Sequence, residues 1–303
     1  MAIEYSQILS TYSIVAYDTD TGQLGVAVQT HQVSVGRMVP FLLPGVGAVA
    51  TQSMVNIGFG AMALAMLREG VSAPDVVNGL IASDDGRNYR QLAIVDAHGK
   101  VGAYTGEDCI PYAGHYIGDG YSVQANMMEN DTVISAMRQA YEDSSKDLAG
   151  RMMMALYAAQ EQGGDIRGMQ SAALHIVEND TRIPSWDSLY DLRVDEATRP
   201  LDELQRLVNF QHAQHISNRG HHLLNNGDVN GALQLWKQAR ELAPDNKEMA
   251  FWQAIALADK KPMPNAVSVG ARIMQQALAD DQRYKQWIDL IQRLELVGII
   301  ERK

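Results

Sequence analysis

Residues 11–30 read TYSIVAYDTDTGQLGVAVQT, and this stretch sets the fold class. Thr11 to Tyr17 is rich in β-branched and aromatic residues, the composition of a strand. Asp18-Thr19-Asp20-Thr21-Gly22 is turn chemistry, because short aspartate side chains bond nearby backbone amides and Gly22 tolerates positive φ. Residues 23–30 (QLGVAVQT) then read as the return strand, so the segment predicts a hairpin.

Further hairpins and helix pairs flank it. Residues 45–53 (GVGAVATQS) form a strand candidate with little side-chain bulk, suited to a place between layers. Residues 59–68 have helical spacing and stop at Gly70. Ser72-Ala73-Pro74-Asp75 opens a second helix, with Ser72 as N-cap and proline in the first turn. Residues 91–96 and 101–105 make a second hairpin around Ala97-His98-Gly99-Lys100. A strand over 121–127, helices over 132–141 and 148–162, and closing strands over 171–177 and 188–194 follow. The glycine-rich residues 114–120 (GHYIGDG) lack the Lys-Ser/Thr of a phosphate loop and read as a connecting loop. Hairpins dominate and regular βαβ alternation is absent, so the expectation is α+β with mostly antiparallel sheets.

The pattern changes near Leu201, and the expected domains are 1–209 and 210–303. Residues 213–247 carry Gly220, Ala232, Trp236, Ala239 and Pro244 within or beside the phrase GDVNGALQLWKQARELAPDN. Small residues at helical spacing let two helices cross closely, and an aromatic fills the gap to the next pair. This resembles a tetratricopeptide repeat in its second helix, whereas Ile216, Arg219 and Leu223 depart from the signature of the first. A weaker copy runs over 248–280, with Ala254 and Ala266 in register but Gly270 where a large residue is expected. A short strand pattern closes the chain at 297–301.

Bulk properties narrow the function classes. The 303 residues exceed one typical domain; with 46% hydrophobic and 20% charged residues the composition is that of a globular protein. The net charge of −11 repels phosphate backbones, so no nucleic-acid partner is expected. Residues 1–7 lack the basic and apolar regions of a signal peptide. The apolar run 39–54 is broken by Pro40, Pro44, Gly45, Gly47, Thr51 and Gln52, too interrupted for a membrane span. A cytoplasmic location follows as the expectation. The lone Cys109 has no internal partner for a disulfide; its acidic neighbours Glu107 and Asp108 raise a thiol pKa, which points to a buried structural cysteine. His212 and His215 are i, i+3 neighbours, but with His221 and His222 they stand without a carboxylate cluster, so no metal site is expected.

Several motifs in one order carry a family resemblance: TYSIVA at 11–16, DTDTGQLGVAVQT at 18–30, VGAVATQ at 46–52, QLAIVDAHGKVGAYTGEDCIPYAGH at 91–115, GDGYSVQANMM at 118–128, GGDIRGMQSAAL at 163–174 and YDLRVD at 190–195. Over about residues 11–209 the chain resembles the domain-of-unknown-function family 1028, grouped by fold with the N-terminal-nucleophile (Ntn) hydrolases. This resemblance implies a four-layer αββα sandwich, and the tetratricopeptide resemblance implies an all-α helical-hairpin module after it. In Ntn hydrolases a Thr, Ser or Cys opens a strand and its own α-amine, with a pKa near ~8, serves as base. The matching residue here is Thr11. Ten residues precede it, so a free Thr11 amine requires cleavage at Ser10–Thr11. No lysine stands between the second strand and Arg90 as a charge partner; His31 or Arg37 could substitute.

The candidate site residues follow from strand parity and from the resemblance. Thr11 is the candidate nucleophile, and Ser13 shares its face. His31, at the end of the return strand, is a candidate base, and Gln29 lies on its face. Gln52 and Asn56 follow a nearly all-small strand, and Gln124 and Asn126 share one face of theirs. Amides in such places suit an oxyanion or substrate-amide clamp; they equally suit the satisfaction of buried backbone groups. Gln52 joins Thr11, Ser13 and His31 in the catalytic set, and Gln29, Asn56, Gln124 and Asn126 form the substrate-binding set. Three readings stand open: an amidohydrolase of a small molecule or short peptide, using Thr11 and no metal or organic cofactor; an unprocessed scaffold, with residues 1–10 covering the pocket and the helical module docking a protein partner; and an uncut enzyme with His31 as base. The degenerate repeat needs its apolar face covered, by the N-terminal domain or by a second subunit, so a homodimer stands as one of two expectations.

Overall fold

The computed structural model of the chain describes residues 8–9 and 11–296. It is a mixed α/β structure with two antiparallel sheets and, among the described residues, nine helices. Two compact units divide between Arg206 and Leu207. The strand expected over 297–301 lies outside the described residues.

In the first unit the opening stretch forms the expected hairpin. Strands β2 (Thr11–Tyr17) and β3 (Leu24–Thr30) pair from Thr11↔Thr30 to Tyr17↔Leu24. Asp18 closes the turn, accepting from the Thr21 hydroxyl at 2.8 Å and the Asp20 amide at 3.3 Å, while Gly22 takes φ +76°. The hairpin is the centre of a six-stranded sheet. On one side lie β10 (Ser171–Val177) and β11 (Tyr190–Val194); on the other lie β9 (Tyr121–Asn126) and β8 (Gly114–Gly118). The glycine-rich segment expected as a loop is therefore a strand, and Gly118 stands where any Cβ would come within 2.1 Å of the Tyr121 ring.

The second sheet is built on β5 (Gly47–Met54), the small-residue strand. One edge of β5 pairs with β6 (Arg90–Asp96), which pairs with β7 (Val101–Thr105). Its other edge is shared by β4 (Pro40–Leu43), a strand that the flanking prolines concealed, and the two-residue β1 (Ile8–Leu9).

Side-chain alternation decides what meets what. Val15, Val26, Val28 and Ala173 of the six-stranded sheet pack on Ala48, Ala50, Ala93 and Val95 of the other. The opposite face of the second sheet, with Val49, Leu92 and Ile94, is covered by α1 (Gly58–Arg68) and α2 (Ala73–Ala82). Helices α3 (Val133–Asp143) and α4 (Leu148–Glu161) cover the opposite face of the six-stranded sheet, where Tyr141 meets Tyr121 at 4.5 Å and Met152 fills the space over Gly25. Each fully buried Val, Leu or Ile contributes about 1.5–3 kcal/mol. Ser72 occupies the N-cap position of α2, but its hydroxyl donates to Asp75 at 2.5 Å instead of accepting a backbone amide; Asp96 Oδ2 accepts the Ala73 amide at 3.2 Å in its place.

The second unit is all helical. Helix α5 (Pro200–Asn225) runs across the boundary and is followed by α6 (Val229–Leu242), α7 (Lys247–Lys260), α8 (Ala266–Leu278) and α9 (Tyr284–Leu296). Gly220 makes room for the fully buried Trp236, whose ring lies 2.5 Å from where a Cβ would stand, and Trp236 Nε1 donates to the Ser217 carbonyl at 3.1 Å. Gly270 has a parallel cause: a Cβ there would lie 2.8 Å from the Ala254 carbonyl oxygen, so the crossing of α7 and α8 excludes the large residue expected from the repeat pattern.

Candidate functional site

The inward faces of the two sheets are apolar along most of their length and polar at one end. At that end Thr11 and Ser13 of β2, Gln52 of β5, Gln91 of β6, and Ser122, Gln124 and Asn126 of β9 are all at most 1% exposed. Parity explains the grouping: Ser13 pairs with Gln124, Thr11 with Asn126, and Gln52 with Gln91, so each pair shares a face.

The groups form one hydrogen-bonded set. The Ser13 hydroxyl donates to Gln52 Oε1 at 2.6 Å and accepts from Gln124 Nε2 at 2.6 Å. Gln52 Nε2 donates to Gln91 Oε1 at 2.7 Å, and Asn126 Nδ2 donates to the same oxygen at 2.9 Å. Gln91 Nε2 lies 2.9 Å from Thr105 Oγ1, 3.0 Å from the Gly114 carbonyl and 2.9 Å from the Ala125 carbonyl. Ser122 donates to Gln124 Oε1 at 3.0 Å. Thr105 Oγ1 lies 2.8 Å from His115 Nδ1, at the surface on β8. Because Thr105 already accepts from Gln91, its proton is available to Nδ1, which fits the imidazole tautomer protonated on Nε2.

Thr11 is clamped from both sheets. Its carbonyl oxygen accepts from Gln52 Nε2 at 3.3 Å and Asn126 Nδ2 at 3.5 Å. Its hydroxyl donates to Thr30 Oγ1 at 3.4 Å, a long contact, and among the described residues no ionisable side chain hydrogen-bonds that hydroxyl. The site is thus a neutral amide cluster. It can orient dipoles toward a developing negative charge, but it contains no base for the Thr11 hydroxyl while the Thr11 nitrogen is part of a peptide bond.

The remaining sequence candidates fall elsewhere. Gln29 pairs with Tyr12, whose hydroxyl donates to Gln160 of α4 at 3.0 Å, so Gln29 faces the helices and not Thr11. It is fully buried, with neither amide atom meeting a protein partner. Burial, and after it the Asp165 carboxylate, push the Tyr12 hydroxyl well above its ordinary pKa. His31 follows β3; its amide donates to Asp165 Oδ2 at 2.9 Å, its Nδ1 is buried without a partner, and it lies against Gly168. Arg37 is exposed in a short turn. Asn56 sits beyond β5, where its Oδ1 accepts the Gly58 amide at 3.1 Å.

Sequence reasoning missed Gln91, Ser122, Thr105 and His115, and of these Gln91 is the one that bonds both sheets. It opens the QLAIVD strand, in alternation with Ala93 and Val95, whose packing between the sheets marks that face as the inward one. Cys109 is buried as expected, its thiol 3.4 Å from the Arg90 carbonyl. Its pKa is raised chiefly by that burial, with Asp108 a lesser cause, so the expected emphasis on acidic neighbours is corrected. Among the described residues no three His, Cys, Asp or Glu are placed to hold a metal ion, and no helix is long and apolar enough to cross a membrane.

Comparison with known proteins agrees over the first unit. The family DUF1028, described as a family of unknown function, matches residues 11–204. The crystal structure of protein SPO2555 from Silicibacter pomeroyi, described as DUF1028, is similar at 31% identity and a TM-score of 0.60, covering 66% of this chain and 84% of its own. No curated protein matches the chain.

Proposed function

We propose that this chain, which belongs to the DUF1028 family, is a latent amidohydrolase whose nucleophile is Thr11. We read the first unit as the αββα sandwich of Ntn hydrolases. The observation that carries the reading is the clamp on Thr11: the residue that opens a central strand, side chain inward, has its carbonyl held by Gln52 from one sheet and Asn126 from the other.

The missing base is supplied by hydrolysis of the Ser10–Thr11 bond, which consumes one water and leaves a free α-amine on Thr11. That amine takes the proton of the Thr11 hydroxyl as Oγ1 attacks the substrate amide carbon. The proton then passes to the departing amine nitrogen, the C–N bond breaks, and an ester to Thr11 remains. A second water hydrolyses the ester and restores the hydroxyl. Gln52 and Asn126 position Thr11 and present amide donors to the charge that develops. The substrate is a small-molecule or short-peptide amide, and the chemistry calls for no metal or organic cofactor.

A second reading, a non-catalytic scaffold, is favoured by one observation: both hydrogen bonds of Ser13 are made inside the core and Thr11 is fully buried. The helical unit would then be a tetratricopeptide-like docking surface, which the Gly220–Trp236 packing supports. Intact mass and N-terminal sequencing of purified protein, with amide hydrolysis by wild type and Thr11→Ala, separate the two. A chain beginning at Thr11 whose hydrolysis is lost in the variant is expected. An intact chain that hydrolyses no amide sinks the free-amine mechanism and leaves the scaffold.

A further inference from the structure

We propose that the Ser53–Met54 edge of β5 is a binding edge for extended peptide backbone, and that the uncut chain fills it with its own residues Ile8–Leu9. This deepens the hydrolase reading and rests on it for one point, that the substrate amide belongs to a peptide-like chain.

Along one edge β5 is paired by β6 from Gly47 to Ser53. Along the other, β4 reaches only from Gly47 to Ala50, and the Thr51 amide donates to the Val39 carbonyl at 3.2 Å just beyond it. The rest of that edge is taken by β1, antiparallel, with Leu9 opposite Ser53 and Ile8 opposite Met54. Leu9 belongs to one sheet and Thr11, two residues later, to the other. The bond whose hydrolysis frees the Thr11 amine therefore lies one residue beyond a segment held as a strand on this edge. Once that bond is cut and the segment leaves, the vacated edge presents unpaired backbone donors and acceptors beside Thr11, the arrangement that captures an extended chain.

The register also gives the bound chain a direction. A chain bound antiparallel to β5 in the register of Ile8 and Leu9 would continue, on the side before the residue opposite Met54, toward Val55. There an open recess of about 410 Å³ is lined by Val55, Asn56, Ile57, Gly58 and Arg90. Its Arg90 wall is held rigidly: Nε bonds Asp84 at 2.6 Å and Nη1 donates to the Met54 carbonyl at 2.6 Å. Ile57 is 46% exposed and offers apolar contact. The edge thus reads the acyl side of a peptide amide, upstream of the bond to be cleaved. The structure gives a role to Asn56, which the polar cluster leaves out.

The probe is the synthetic peptide Ala-Ile-Glu-Tyr-Ser-Gln-Ile-Leu-Ser, the sequence of residues 2–10, titrated against the full chain and its Ile8→Pro/Leu9→Pro variant. Proline removes the strand donors, so the variant's edge is vacated. The peptide is expected to bind the variant about tenfold or more tighter than wild type, and a peptide N-methylated at the Ile and Leu positions is expected to lose that binding, each backbone factor of ten being about 1.4 kcal/mol. Equal binding to both chains, no binding to the folded variant, or full binding of the N-methylated peptide overturns the proposal. If the proline variant fails to fold, hydrogen exchange at Ser53 and Met54 in an Ile8→Gly/Leu9→Gly chain serves: protection restored by the peptide supports the edge, and unrestored protection overturns it. Binding is read without turnover. Peptide bound by a chain that hydrolyses no amide upholds the edge while the hydrolase reading falls; hydrolysis without peptide binding overturns the edge alone.

Discussion

Gln91 Oε1 accepts from Gln52 Nε2 and from Asn126 Nδ2, so a single amide on β6 bonds its neighbour β5 in one sheet and β9 in the other. Gln91→Leu removes that acceptor and leaves two buried amide donors without their partner. At about 1–3 kcal/mol for each buried group left unsatisfied, the expected loss is about 3 kcal/mol. Urea unfolding should show a lower midpoint at an unchanged slope; an unchanged midpoint would mean that the hub carries no load.

Gln29 presents the opposite case. Its two amide atoms are buried and meet no protein partner, so an apolar side chain of similar length removes a desolvation cost and breaks no bond. Gln29→Met is expected to raise stability by about 1 kcal/mol, or roughly 2–4 °C in Tm for a unit of this size. A fall in Tm counts against it.

Asp84 governs an acid response. Burial pushes its carboxyl up, but the Arg90 hydrogen bond, the Gly86 amide and the positive charge together hold it below the ordinary carboxylate range. A pKa lower in the folded chain than in the unfolded one contributes stability that is complete above the unfolded value and is lost as pH falls through the folded value. Asp84→Asn should therefore be less stable than wild type at neutral pH, and the difference should close on acidification below the ordinary carboxylate pKa. A gap that stays constant down to strongly acid pH refutes the assignment.

Gly220→Ala should fail despite alanine's better helix propensity. The propensity gain is about 1 kcal/mol, but the new methyl carbon would stand 2.5 Å from the Trp236 ring, and overpacking costs typically about 1–3 kcal/mol. Tryptophan fluorescence should report a displaced Trp236 and an earlier unfolding transition; a stabilised variant would show that α6 can shift freely.

The hairpin at residues 11–30 was legible because everything that specifies it is local: an Asp-rich turn, Gly22, and β-branched flanks. Strand β4 was hidden by Pro40 and Pro44, which a central strand would exclude but an edge strand accepts at its ends. Strand β8 was hidden by its glycines, although Gly118 is there to seat the Tyr121 ring. The same limit shaped the reading of the site. Parity within one strand groups Gln124 with Asn126, which do share the cluster, whereas His31 lies beyond the end of β3 and outside its alternation; which face of a sheet meets its partner sheet depends on long-range register. Thr11↔Thr30 pairing turns Gln29 toward the helices. Gln91 joins the cluster only through packing between sheets, which no local pattern records.

The bonds from Ser122 through Gln124, Ser13, Gln52, Gln91 and Thr105 to His115 all point one way. After Ser122, each hydroxyl or amide in the row donates forward and accepts from behind, so none of them can turn over by itself without setting donor against donor or acceptor against acceptor. The row therefore has a sense, like a file of compass needles, and its bonds polarise one another cooperatively. Its outer terminus is a surface imidazole, and a proton placed on the inner nitrogen of that ring meets the end of the file head-on. The electrical orientation of the fully buried Ser13 hydroxyl is in that way tied to an atom at the surface, several side chains distant.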